Sequence, residues 1–434
     1  MKGVGTIAGT EDAVLELERL VLCPKSPGHD HIVWDFASGA RVTDTRGREY
    51  IDFTSGVLVA NIGHANPHVA AAVSAQAGRL LNAYDAPHPL RGQLAKRLLD
   101  ASGSSMDAVA FLTTGSEALD ACMRIARAAT GRSSILAFGD AFHGKSLSTS
   151  AIGGIPGNRS LSGSILAGVT VAPFPNPYRP PAGLEQAQDL ADACVSLAEE
   201  IVAVSSADGL AAIVVEPYLG QGGGVVPPAH FFRLLREMAD RHGALLVFDE
   251  IQAGMGRTGS LFAFQRIGVE PDLLALSKGL GNGVPISAVL GHRVHMAALP
   301  AGRLWSTFGG NPLSCAAALA TLDILETPGL MEHVLESGDF MARTIRSWNV
   351  PGLGDVRQTG LSFGLELVSD EATKEPDSDR ARSVLLTAGH EGLIVLPPAG
   401  RYENVVRMAP PLTTSMEDIE EGLGRLHKAL VATA

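Results

Sequence analysis

Aromatic residues are scarce in this chain, 5% of its 434 residues, and there are only four cysteines. Cys23, Cys122, Cys194 and Cys315 lie far apart with neither Cys-x-x-Cys nor Cys-His spacing, so neither a disulfide framework nor a metal site is expected. Positive charge is also in deficit. Lys and Arg number 34 against 46 Asp and Glu, giving a formal charge of −12, and no basic patch stands out, which argues against a nucleic-acid surface. No stretch reaches the roughly 18 uninterrupted apolar residues of a membrane span. The first residues meet Glu11 and Asp12 without a long apolar segment, so no secretory signal is expected and a cytoplasmic location is the simplest reading.

What the chain has in quantity is glycine, 49 residues, and a 46% hydrophobic content. With no repeat period, this suits an α/β protein with many tight strand-to-helix turns and enough length for two domains. Two apolar runs end in a charged residue followed by glycines. Ala244-Leu-Leu-Val-Phe-Asp249 delivers a carboxylate, and Asp272-Leu-Leu-Ala-Leu-Ser-Lys278 delivers an amine ahead of Gly279-Leu-Gly281-Asn-Gly283. In open α/β sheets ligands bind beyond the carboxyl ends of the strands, so the pair points to a cofactor cleft. Either residue alone has an ordinary reading, the lysine as a loop cation and the aspartate as a helix cap.

Pyridoxal phosphate needs such a pair. Its aldehyde condenses with a lysine amine, and its ring nitrogen is an electron sink only while a carboxylate keeps it protonated. A cradle for the phosphate is available where Phe111-Leu-Thr-Thr114-Gly115-Ser116-Glu117 runs into a helical pattern, with Leu119, Cys122, Ile125 and Ala129 on one face. The same Thr-x-x-Glu pattern opens many helices without a ligand. Phe142 and Ile251 are candidates for the two faces of the ring, and each alone would pass for a core residue.

Seven motifs, in the order TTGSEAL, FHGKS, VVEPYLGQGGG, FDEIQAGMGRTG, LSKGLGNGVPISAV, STFGGNPLSCAAA and VVRMAPPLT, span Thr113 to Thr413. Together they resemble the class III (ω-) aminotransferases, the group of 4-aminobutyrate aminotransferase, which are fold type I pyridoxal phosphate enzymes. The resemblance implies that Lys278 forms the Schiff base with pyridoxal 5'-phosphate and that Asp249 pairs with the pyridinium. It places Gln252 on the cofactor's phenolic oxygen, Gly115 and Ser116 on the phosphate, and His143 beside the cofactor, with proton transfer left to Lys278. It gives Thr307 to the phosphate of a neighbouring subunit, hence a homodimer with shared active sites. Arg407 takes the position that grips a substrate carboxylate, as a guanidinium does with two parallel hydrogen bonds.

The departures bear on substrate. Where 4-aminobutyrate and ornithine enzymes usually carry a glutamate that neutralises this arginine, the chain has Gln221. After the His-Gly of FHGKS it has Lys145, where 4-aminobutyrate enzymes commonly have an arginine; lysine is a point charge without the bidentate fork. Val57 and Tyr84 are further candidates for shaping the pocket. The implied activity is a ping-pong transfer of an amino group from a primary amine or amino acid to a keto acid such as 2-oxoglutarate or pyruvate. Two alternatives on the same scaffold are a decarboxylase of the dialkylglycine type and an aminomutase; the first is weakened by Val57, where that decarboxylase has a glutamine. A cofactor-binding protein without catalysis would be expected to lack Lys278 or Asp249, and both are present.

The expected fold is α/β. A large domain over 61–327 has a mostly parallel sheet flanked by helices, and a smaller α/β domain combines 1–60 with 328–434. Strands are expected at Ser133–Gly139, Leu210–Glu216, Ala244–Asp249, Asp272–Ser277 and Ile286–Gly291, with a hairpin over Arg41–Asp52 and a terminal helix over Met416–Val431. The stiff loop Asn176-Pro-Tyr178-Arg179-Pro-Pro181 carries an arginine with no assigned role and is expected to be structural.

Overall fold

The computed structural model describes residues 11–23, 28, 32–155, 157, 159–160, 166–206 and 208–434. The N-terminal hairpin forms as Arg41–Asp44 against Glu49–Asp52, antiparallel, with Thr43 opposite Glu49. Its turn closes on Asp44, whose Oδ1 accepts the backbone N–H groups of Arg46 at 2.9 Å and Arg48 at 2.8 Å. The short strand Leu393–Ile394, from the far end of the chain, pairs parallel to Glu49–Asp52 and joins the same sheet.

Seven strands make the main sheet, in the order Ala108–Leu112, Ser287–Gly291, Leu273–Leu276, Leu245–Asp249, Leu210–Val215, Ser134–Phe138 and Val169–Ala172. All pairings from Leu273–Leu276 to Val169–Ala172 are parallel. Ser287–Gly291 runs antiparallel to both its neighbours. The four central strands bury every residue, which is why they read as continuous apolar runs and not as alternating ones. Each fully buried Leu, Ile or Phe there contributes about 1.5–3 kcal/mol. A third, antiparallel sheet contains Leu353–Thr359, Ser362–Asp370, Val405–Met408 and Leu396–Ala399.

One local feature was invisible in the sequence. Ser55, Gly56, Val57 and Leu58 have φ of 49°, 57°, 67° and 60°, so this single turn winds left-handed. Such a turn costs about 1–2 kcal/mol for each non-glycine residue. It is tied down by Asp52, whose Oδ1 accepts from Thr54 N at 2.8 Å and Thr54 Oγ1 at 2.6 Å, and by Ser55 Oγ, which donates to the Ala409 carbonyl at 2.6 Å.

Candidate active site

Asp249 ends one central strand, and Lys278 follows the neighbouring one after Ser277. The parallel register sets Asp249 opposite Ala275, so the two charged groups emerge at the same sheet edge. A second carboxylate, Glu216, emerges there just beyond Leu210–Val215. Lys278 itself has φ of 41°, a left-handed conformation that non-glycine residues seldom adopt.

A cavity of about 290 Å³ opens at this edge, and Gly115, Ser116, Phe142, His143, Lys145, Asp249, Ile251, Gln252 and Lys278 all line it. The structure thus gathers nine of the residues singled out from the sequence. Five others lie elsewhere. Thr307 is exposed, Val57 on the left-handed turn and Tyr84 are each 49% exposed, and Arg407 and Gln221 form a separate pair. Thr114, Gly144, Glu216 and Ser277 line the cavity without having been assigned to it.

The electrostatics are built around Asp249. Its Oδ2 lies 2.7 Å from His143 Nδ1, with both groups buried, and its Oδ1 accepts from Ile251 N at 3.1 Å. Burial works against a charged His143, but the hydrogen bond and charge of Asp249 outweigh it and the pKa rises. Burial pushes the Glu216 carboxyl up to about 7, although its oxygens accept from Phe142 N at 2.8 Å and Gly220 N at 3.0 Å. For Lys278 burial lowers the pKa, opposed by Asp249 and Glu216 and assisted by Arg407. A larger fraction of neutral amine at working pH is what a nucleophile and base requires.

At the other end of the cavity the helix Gly115–Thr130 begins with a reciprocal cap. Thr114 Oγ1 accepts from Glu117 N at 3.2 Å, while Glu117 Oε2 accepts from Thr113 N and Thr114 N at 2.9 and 2.8 Å. The capping carboxylate is turned back along the chain, which leaves Gly115 and Ser116 at the cavity wall. Here glycine is required by close approach, since a Cβ on Gly115 would lie 2.8 Å from Ile251 Cδ1. Gly144, at φ 135°, packs equally closely on Ser116, whose Oγ lies 3.4 Å from Lys145 N.

Arg407 is buried on strand Val405–Met408, 6% exposed. Its Nη1 donates to the Gly220 carbonyl at 3.2 Å and Nη2 to Gln221 Oε1 at 2.9 Å, and no carboxylate among the described residues forms an ion pair with it. Burial pulls its pKa down to about 10, so it is still a cation at neutral pH. Arg179, in contrast, is spent: it pairs with Glu366, donates to the Lys374 carbonyl at 2.6 Å and stacks on Tyr178 and Tyr402. The loop that carries it is structural, as its prolines imply.

The residues fit pyridoxal phosphate. Two buried polar atoms of cavity-lining residues, His143 Nε2 and Gln252 Oε1, have no hydrogen-bond partner among the described residues. Gln252 lines the cavity with capacity for a ligand, next to an amine, a carboxylate and the N-terminus of a helix of 16 residues. Comparison with known proteins agrees. The family model described as Aminotransferase class-III matches residues 24–430. The chain is 37% identical to a leucine/methionine racemase of Thermococcus litoralis, covering 91% of this chain and 89% of that one. It is 35% identical to a 5-aminovalerate aminotransferase of Pseudomonas aeruginosa, covering 96% and 97%. A solved amine transaminase from an uncultivated Pseudomonas species, in its PLP-bound form, superposes with a TM-score of 0.88 at 30% identity, covering 95% of this chain and 98% of that one.

Proposed function

Since the chain belongs to the class III aminotransferases, we propose that it moves an amino group from a primary amine or amino acid to a keto acid at the Lys278–Asp249 cavity, by a ping-pong mechanism. The observation that carries this reading is the convergence of the Lys278 amine, the His143–Asp249 pair and the Ser116 helix terminus on one cavity. When bound, pyridoxal 5'-phosphate supplies an aldehyde carbon that exchanges amines and a ring that delocalises the electron pair left when a C–H bond breaks.

The chain's residues do the rest. Lys278 Nζ would hold the cofactor through its aldehyde carbon and, as a neutral amine, would serve as the base that moves the substrate's proton. Asp249 would keep the ring nitrogen protonated, with its orientation fixed by His143. Gln252 would bond the phenolic oxygen, Phe142 and Ile251 would pack on the ring faces, and Gly115 and Ser116 would bind the phosphate. Arg407 grips a substrate carboxylate, and Lys145 at the cavity wall attracts a second, distal one.

The enzyme acts as a homodimer in the cytoplasm, with Thr307 of each chain serving the phosphate bound by the other. In support, Thr307 is exposed and flanked by Trp305 and Phe308, which are 46% and 61% exposed. No single described helix is long and apolar enough to cross a membrane. Initial rates at several fixed concentrations of amino donor and keto acid test the proposal. Parallel double-reciprocal lines and an absolute requirement for the acceptor are expected. Interconversion of amino-acid enantiomers without any acceptor would instead place the chain with its racemase relative.

A further inference from the structure

A second guanidinium, that of Arg257, is buried more deeply than Arg407. Arg257 is 0% exposed and comes from the glycine-rich loop that follows Asp249, Ile251 and Gln252. Its Nη1 donates to the carbonyls of Leu361 at 2.8 Å and Pro410 at 2.6 Å, and its Nη2 to Ser55 Oγ at 3.2 Å and Asn61 Oδ1 at 2.9 Å. No carboxylate among the described residues forms an ion pair with it. Burial pulls its pKa to about 10, so the cation persists at neutral pH. A buried charge without a counter-ion is poor as a stabilising device, and an apolar side chain of similar volume would fill the same space at less cost. What the planar fork supplies is fixed geometry among separate segments.

Those segments lead to both ends of the reaction site. Pro410 lies three residues beyond Arg407, and Ser55 opens the left-handed turn and also holds the Ala409 carbonyl. Asn61 donates to the Met255 carbonyl at 2.9 Å, and its own carbonyl accepts from Leu412 N at 2.7 Å. Its amide also packs so closely on Gly279, the residue after Lys278, that a Cβ there would collide with it. Arg257, bonded both to Asn61 and to the Pro410 carbonyl, therefore links the lysine's turn to the chain just beyond the Arg407 strand.

We propose that Arg257 is a positioning residue that fixes the separation of Arg407 from Lys278 and so governs how well a substrate carboxylate is bound. This rests on the reading of Arg407 as the carboxylate clamp. Its test is the steady-state kinetics of Arg257→Lys and Arg257→Met holoenzymes with whichever of pyruvate and 2-oxoglutarate the wild type turns over faster. The expected result is a KM raised about tenfold or more with kcat within about threefold, bound cofactor retained, and the lysine variant less affected than the methionine. Ser55→Ala removes one acceptor and leaves the guanidinium, and a smaller KM increase is expected there, which keeps the test open should the Arg257 variants not fold. An unchanged KM in Arg257→Met, or losses of kcat, cofactor and melting temperature together with no separate KM effect, would overturn the proposal. Arg407→Gln separates the two readings. A KM raised there but untouched by the Arg257 and Ser55 variants removes the role of Arg257 alone, whereas a KM unchanged in Arg407→Gln removes the clamp itself.

Discussion

His143 Nδ1 and Asp249 Oδ2 lie 2.7 Å apart with both side chains buried, so the carboxylate at the centre of the site is held by an imidazole 106 residues away in the chain. Removing the ring frees Asp249 to rotate. His143→Ala is expected to lower kcat/KM by about 10²-fold, the size of effect that misplacing a reacting group produces. Asp249→Asn keeps the shape but not the charge, and a loss of about 10²–10³-fold is expected from removing that electrostatic support. Steady-state kinetics on holoenzyme check both, and a His143→Ala variant with wild-type rates would show that Asp249 needs no such partner.

Glu250 gives a pH dependence of stability. It is fully buried, and its oxygens accept from Ala263 N and Phe264 N, each at 2.7 Å; burial pushes its pKa from 4.5 up to about 8. The folded protein therefore keeps a proton between about pH 4.5 and 8 that the unfolded chain has lost, and stability from this group falls as pH rises through that interval. Glu250→Gln cannot titrate but leaves one of the two N–H groups short of an acceptor, at a cost of about 1 kcal/mol. Melting temperatures are expected to favour wild type at pH 5 and to converge with, or fall below, the variant by pH 8.

The Ser116 end of the cavity leaves no room for a single added methyl group. At Gly144, with φ of 135°, a Cβ would lie 2.5 Å from Thr149 Oγ1 and press closer still on Ser116 Oγ. Gly144→Ala is expected to displace Ser116 and weaken cofactor binding about tenfold or more, measured as cofactor lost on dialysis and as the concentration needed to restore absorbance. Retention equal to wild type would take Ser116 out of the cradle.

Gln221 gives Arg407 a neutral hydrogen-bond partner where a glutamate would have given a carboxylate. Gln221→Glu would place a carboxylate within reach of the guanidinium and compete with the substrate's own. The expected outcome is a KM for keto acids raised about tenfold, equivalent to about 1.4 kcal/mol, with kcat little changed. An unaltered KM would mean that Gln221 does not tune the clamp.

The strand ends were legible in the sequence because a charged residue closing an apolar run is conspicuous, as at Asp249 and Lys278. Glu216 closes Leu210–Val215 in the same way, so the signal that would have placed it at the cavity was present and unused. The His143–Asp249 contact was not legible, because sheet order and not chain order brings the two together. Nor was the left-handed turn, where Ser-Gly-Val-Leu holds one glycine and a β-branched residue that disfavours that conformation. Arg257 was hidden for a related reason. Its four acceptors come from the two sides of the chain and from loops that no local pattern connects.

Absorbance of the purified holoenzyme, titrated with amino donors and then with a keto acid, tests the central role of Lys278 most directly when run beside Lys278→Ala. In wild type the visible band of the lysine-bound cofactor should be lost with a competent donor and restored by the keto acid. In the variant the band of the free enzyme should be absent or displaced and turnover should fall by at least about 10²-fold. Wild-type spectra and turnover in Lys278→Ala, or a band in the native enzyme that no donor changes, would contradict the account.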